Sequence, residues 1–220
     1  MSGVGAAAGI ALGSLCDAAF GDPARLHPVA GFGRLARSLE SRLWQPRWSA
    51  GALYVLALVG SAVAAARIAE EALRPLRPAE PVFVALVVWT VLGSRSLAAE
   101  ARAVADAVER GDLAGARRRA PALVGRDPSS LDGPELCRAA VESVAENTAD
   151  AVVAPLVWCA FAGPAGAVGY RAANTLDARV GYRSERYERF GWAAARLDDL
   201  LTWPASRLAA LLAVVLAPAV

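Results

Sequence analysis

The sequence predicts an all-α integral membrane protein with a helical active-site region on one side of the bilayer. Three observations carry that class. Hydrophobic residues make up 56% of the 220, and the mean hydropathy is +0.37, too apolar for an ordinary soluble domain. Yet 20% of residues are charged, too many for a bundle lying wholly in lipid, so apolar spans must alternate with charged segments outside it. No segment alternates apolar and polar residues with period two, so no strand is expected. Residues 1–220 read as a single membrane domain, with polar site segments at 21–48 and 125–207.

Residues 3–20 are small and apolar and form the first candidate span. Gly5, Gly9 and Gly13 recur every fourth residue, share one helix face and let a second helix approach closely in lipid. No basic leader precedes them, which disfavours a cleaved signal peptide. Residues 49–66 carry no charge and are long enough to span. Residues 81–94 are shorter, and they span if the helix runs on through residue 99. Residues 97–110 read as an amphipathic helix stopped by Gly111. Arg117, Arg118 and Arg119 close a short helix before Pro121, and 125–136 is a loop.

Asp132 followed by Glu135 is a capping box that starts a helix at about residue 133. That helix is expected to reach about residue 154, with a kink at Pro155 and an end at Gly163-Pro164. Residues 151–163 form a partial or membrane-embedded span. Residues 208–220 read as the start of a helix cut short at Val220.

Arginine placement sets the orientation. Arg25, Arg34, Arg37, Arg42 and Arg47 lie in 21–48, and arginines are dense from Arg95 to Arg207. Two spans separate these regions, so both lie on one side. The positive-inside rule makes that side the cytoplasmic face of the cell membrane. The 67–80 connection mixes Arg67, Arg74 and Arg77 with Glu70, Glu71 and Glu80.

Composition excludes several chemistries. Every one of the 23 basic residues is arginine, so there is neither a Schiff-base lysine nor a P-loop lysine. His27 is the single histidine, which argues against a serine triad or a histidine metal cluster within one chain. Cys16, Cys137 and Cys159 are too scattered for a zinc site or a disulfide framework. A net charge of +2 gives no sign of nucleic-acid binding.

Chemistry concentrates between Glu142 and Arg207. In 142–155, Glu142, Glu146 and Asp150 fall at i, i+4 and i+8 and form one carboxylate stripe, with Asn147 and Thr148 beside it. The stripe leads into an apolar segment, where charges need cations or a metal. It reads either as a solvated face paired with arginines or as a site whose oxygens suit Mg²⁺ acting with a substrate phosphate.

In 170–200, Arg171, Asn174 and Asp177 share a helix face, and Arg183, Glu185, Arg186 and Arg189 follow Gly181. Asp198 and Asp199 come next, then Arg207 after Pro204. This is either an anion site built on guanidinium forks or an amphipathic hairpin tied by ion pairs. In 17–35, Asp22-Pro23 and His27-Pro28 are turn signals, and Asp17 is a carboxylate at the end of an apolar span that needs a reason to be there. His27 reads first as a structural hydrogen-bonder. Residues 163–169 follow no strand and read as a turn rather than a phosphate loop. Trp158, Trp192 and Trp203 read as packing residues.

The blocks GDPARLHPVAGFGRL at 21–35, ESVAENTADAVVAPLVW at 142–158 and the run 163–208 resemble, in order, the signature blocks of the CobD/CbiB family of cobalamin biosynthesis. Family members continue past Val220 into a further segment and a last hydrophobic helix, so the chain is expected to be a fragment or a shortened relative.

The resemblance implies amide formation between cobyric acid and aminopropanol or its phosphate, giving cobinamide or cobinamide phosphate. Chemical need adds ATP and Mg²⁺, since a carboxylate does not form an amide unaided at neutral pH. In that reading Glu142, Glu146 and Asp150 are metal or amine-site carboxylates, and Asn174 and Asp177 extend the site. Arg171, Arg183 and Arg186 hold phosphate or propionate with Glu185 beside them, and Asp22 and His27 close the pocket. The expected partners are membrane lipid, other proteins of the pathway or a second copy. Two alternatives stay open: an Mg²⁺-dependent transferase of another phosphorylated small molecule, and a non-catalytic corrinoid transport or scaffold subunit.

Overall fold

The computed structural model describes residues 3–23, 27–123 and 127–217. Arg25 of the topology argument, residues 125–126 of the loop and residues 218–220 of the last apolar stretch lie outside them. The described residues are helical and contain no strand. The helices are α1 (Gly3–Phe20), α2 (Pro28–Leu43), α3 (Trp48–Leu73), α4 (Glu80–Val91), α5 (Ser94–Glu109), α6 (Leu113–Arg119), α7 (Gly133–Thr148), α8 (Ala154–Val180) and α9 (Trp192–Leu216). Five helical stretches are long and apolar enough to cross a membrane: α1, α3, α4 running into α5, α7 running into α8, and α9. The chain is a multi-pass, all-α membrane protein.

The small-residue face of α1 packs on α4. A methyl group added at Gly9 would lie 2.5 Å from Val84 Cβ, and one at Gly13 would lie 2.6 Å from the Ala85 carbonyl oxygen. Glycine is what permits this backbone approach. It substitutes close van der Waals packing for the hydrophobic drive that lipid removes.

The span expected to run through 81–99 is interrupted. Leu92 turns extended (φ −75°, ψ 164°), and the helix restarts at Ser94. The cause is Asp17, fully buried at the end of α1. Its Oδ2 accepts the Ser94 backbone N–H at 3.2 Å and also the Ser94 hydroxyl. A carboxylate from another helix thus caps α5, satisfying a helix-end donor and favouring the dipole. Beyond the break, α5, α6 and α7 bury Val104, Ala107, Ala116 and Leu136 together as a small polar-faced layer.

Helix α7 opens with the capping box: Asp132 accepts the Glu135 N–H at 2.8 Å, and Glu135 accepts the Asp132 N–H at 2.9 Å. The kink expected at Pro155 is replaced by a π-turn at Ala149–Val153, with the Ala154 N–H reaching back to the Ala149 carbonyl. The wider turn accommodates the proline ring and its missing donor without ending the helix. At Gly163 the backbone is non-helical (φ 71°, ψ −170°), a conformation that only glycine adopts readily. The chain doubles back there. Tyr170 packs with Ala154, and Asp177 returns to the level of Asp150.

This hairpin defines two ends of the bundle. Arg67, Glu70, Glu80 and Gly163 meet at one end, around a cavity of about 520 Å³. At the other end Asp22 meets Ser96, Trp48 meets Trp192, and Asp150 meets Asp177. There the core of Tyr54, Leu58, Leu176, Val180 and Phe190 anchors α3 and α8 to the 181–191 segment.

Candidate functional site

The acidic residues gather where the π-turn, the returning arm of α8 and α9 converge. A cavity of about 900 Å³ is lined by Glu146, Asp150, Asp177, Asp198, Asp199 and Arg207, with Thr202 and Trp203. The π-turn and the Gly163 reversal together set Asp150 against Asp177, although 27 positions separate them in the sequence. Asp198 is only 9% exposed, and its Oδ1 is buried with no hydrogen-bond partner among the described residues. Asp150, Asp177 and Asp198 feel one another's charge. Crowded carboxylates with a vacant acceptor attract a cation or a positively charged amine.

Behind Asp150 lies a polar relay. Arg171 senses the charges of both Asp22 and Asp150. Its Nη1 donates to Asn174 Oδ1 at 3.3 Å, and Asn174 in turn interacts with Asp198. Asp22 accepts the Ser96 hydroxyl at 2.6 Å. His27 Nδ1 accepts the Val29 N–H at 3.2 Å, capping α2, while Nε2 sits 3.7 Å from Asp22 Oδ1. Asp22, His27, Arg171 and Asn174 do not line the acidic cavity; of the first-loop pair, Asp22 is linked to it through the charge of Arg171.

Other sequence-singled residues lie elsewhere. Glu142 is exposed and is not part of the cavity lining. Arg183 and Glu185 line an adjoining cavity of about 680 Å³ with Trp48, Tyr182 and Trp192, which meets the acidic one at Asp199. Arg186 is held away from both roles assigned to it. Its guanidinium stacks on Trp44 at 4.8 Å and lies 3.6 Å from Glu40 Oε1.

Glu40, unremarked in the sequence, is the centre of that cluster. It is 6% exposed and accepts the Tyr187 hydroxyl at 2.7 Å and Arg179 Nη2 at 3.0 Å. Burial works to raise its carboxyl, but the Tyr187 hydroxyl and the Arg179 and Arg186 guanidiniums outweigh it and hold it below the usual glutamate range. The cluster fixes the 181–191 segment against α2 and the end of α8, two residues beyond Asp177. Asp198, read in the sequence only as part of an arginine-rich segment, belongs to the acidic cavity. The available signal was an aspartate pair inside an otherwise apolar helix.

The family model described as CobD/Cbib protein matches residues 10–220. The chain belongs to the CobD/CbiB family. It is 51% identical over 214 residues to the cobalamin biosynthesis protein CobD of Mycobacterium tuberculosis strain ATCC 25618 / H37Rv, covering 97% of this chain and 68% of that protein. CobD of Geobacter metallireducens is 46% identical over 209 residues, covering 93% of this chain and 66% of the relative. CobD of Rhodobacter capsulatus is 42% identical over 191 residues, covering 84% and 60% respectively. The chain thus spans about two thirds of the length of these CobD proteins. No solved structure matches it.

Among the described residues, no three histidine, cysteine, aspartate or glutamate side chains gather closely enough to hold a metal ion by themselves. The acidic cavity still fits Mg²⁺. Its donors are hard oxygens, Asp198 Oδ1 is unpartnered, and Mg²⁺ is usually held by one or two carboxylates with substrate phosphate and water.

Proposed function

We propose that this chain acts in cobalamin biosynthesis as the amide-forming enzyme that joins a propionate carboxyl of cobyric acid to aminopropanol or its phosphate. The product is cobinamide or cobinamide phosphate. The single observation behind this reading is the cavity in which five carboxylates face Arg207. Family membership supports the pathway, and the charge pattern supports the amine.

Aminopropanol is an ammonium ion at neutral pH, so the acidic lining draws it in. It must shed a proton before nitrogen can attack a carbonyl carbon. Asp198 and Asp150 are the acceptors placed to take it. The C–N bond then forms as the activated propionate oxygen departs. ATP with Mg²⁺ would supply that activation, one propionate oxygen leaving with the transferred phosphoryl group as phosphate. Glu146 with whichever of Asp150 and Asp198 does not take the proton would hold the metal, phosphate and water completing its shell. Arg207 at the cavity wall and Arg171 behind Asp150 would balance the carboxylate and phosphate charge. The arginine distribution supports a cytoplasmic position for the cavity, where cobyric acid and ATP are accessible.

The test uses the full chain reconstituted in membranes with cobyric acid, ATP, Mg²⁺ and either aminopropanol or its phosphate, with the corrinoid product read by mass spectrometry. Glu146→Gln and Asp198→Asn are each expected to lower turnover by roughly 100-fold or more, leaving membrane insertion and helix content unchanged. Near-normal turnover in both variants sinks the site. ATP consumption that does not depend on cobyric acid sinks the reaction and favours a transport or scaffold role.

A further inference from the structure

A further cavity runs along the opposite side of the α8 return arm. It holds about 310 Å³ and is bounded by Val29 and Phe32 of α2, Ala65 and Ala69 of α3, Phe83 of α4 and Arg171 of α8. Its wall is almost wholly apolar. The lining hydroxyls are already engaged, Thr90 on the Val87 carbonyl and Thr175 on the Arg171 carbonyl. Arg171 is the one charged residue among the described residues of the lining. Its Nε is closed off from solvent and has no hydrogen-bond partner among the described residues. A buried guanidinium donor without a partner is costly, so the groove calls for an acceptor oxygen at that point.

The groove also has a direction. Val29 and Arg171 stand towards the end of the bundle that carries the acidic cavity, whereas Ala69 and Phe83 stand towards the end marked by Gly163. At about 30 Å³ for a group of water size, its volume takes a chain of about ten methylenes.

We propose that this groove binds a membrane lipid of the leaflet on the acidic cavity's side, its anionic head on Arg171 and one acyl chain along the α3 alanines. An amphiphile satisfies both halves of the groove, and an anionic oxygen makes the strongest hydrogen bond to a guanidinium. A lipid there leans on the residue that senses Asp22 and Asp150, so occupancy couples the bilayer to the polar site. The inference stands apart from the amide-forming reaction, because lipid retention is read without turnover.

Ala65 is exposed and lines the groove, and Ala64 is exposed on the same helix outside it. The chain is purified in a neutral detergent from vesicles of equal phosphatidylglycerol and phosphatidylcholine, and retained lipid is counted by native mass spectrometry. Wild type and Ala64→Phe are expected to retain phosphatidylglycerol at least ten-fold over phosphatidylcholine. Ala65→Phe is expected to lose that retention by ten-fold or more. Arg171→Gln is expected to keep lipid but lose the preference. Soluble glycerol phosphate is expected to leave retention unchanged; displacement by it would point to a free phosphate site and overturn the lipid reading. Equal retention by Ala64→Phe and Ala65→Phe, or no preference for the anionic lipid in wild type, overturns it too.

Discussion

Replacing Glu40 by alanine tests whether its cluster holds the 181–191 segment in place. The substitution strands Arg179, whose side chain is 21% exposed, and removes the acceptor for Tyr187. Breaking a buried pair by deleting one partner costs about 3–5 kcal/mol. Partial exposure of Arg179 lowers that, and the 55%-exposed Arg186 adds under about 1 kcal/mol. A net loss of about 3 kcal/mol follows, a shift of roughly 6–12 °C in the melting midpoint for a chain of this size. Circular dichroism in detergent reads it.

The double variant Glu40→Met with Arg179→Met is expected to recover most of the loss, because the cost comes from the uncompensated charge. Acid adds a second signature. The carboxyl is held below its ordinary value of 4.5, so its contribution is complete above that value and fades as pH falls through the lower folded-state value. Wild type should therefore lose stability on acidification more steeply than Glu40→Ala. A midpoint within 2 °C of wild type, with parallel acid profiles, refutes the reasoning.

Other perturbations follow from the packing. Gly13→Leu drives a side chain into the Ala85 carbonyl and Val88, so α1 should separate from α4 and lose protection in hydrogen exchange, whereas Gly3→Leu, with open space around it, should not. Gly163→Ala forces a φ of 71° on a residue with a Cβ, costing about 1–3 kcal/mol by chemical denaturation. Asp17→Ala removes the cap from α5 and should cost about 1–2 kcal/mol, with exchange at Ser94 and the following amides rising first.

The sequence by itself determined whatever depends on neighbours along the chain. The capping box at Asp132 and Glu135, the stops at Gly111 and Gly163, and the apolar spans all follow from backbone sterics and short-range periodicity. Their controlling interactions reach only a few residues. The acidic stripe was legible in the same way, since Glu146 and Asp150 lie one helical turn apart. Only the tertiary structure decided which charges meet. Glu40 finds Arg179 across 139 positions and Tyr187 across 147, and Asp17 finds Ser94 across 77. Those pairings redirected Arg186 to a scaffold and broke the expected third span at Leu92. The π-turn and the Gly163 reversal aimed Asp150 and Asp177 at one cavity while leaving Glu142 outside it. A buried charge takes whichever partner the packed helices bring within 3 to 4 Å, and that choice is set by the fold as a whole rather than by spacing in the chain.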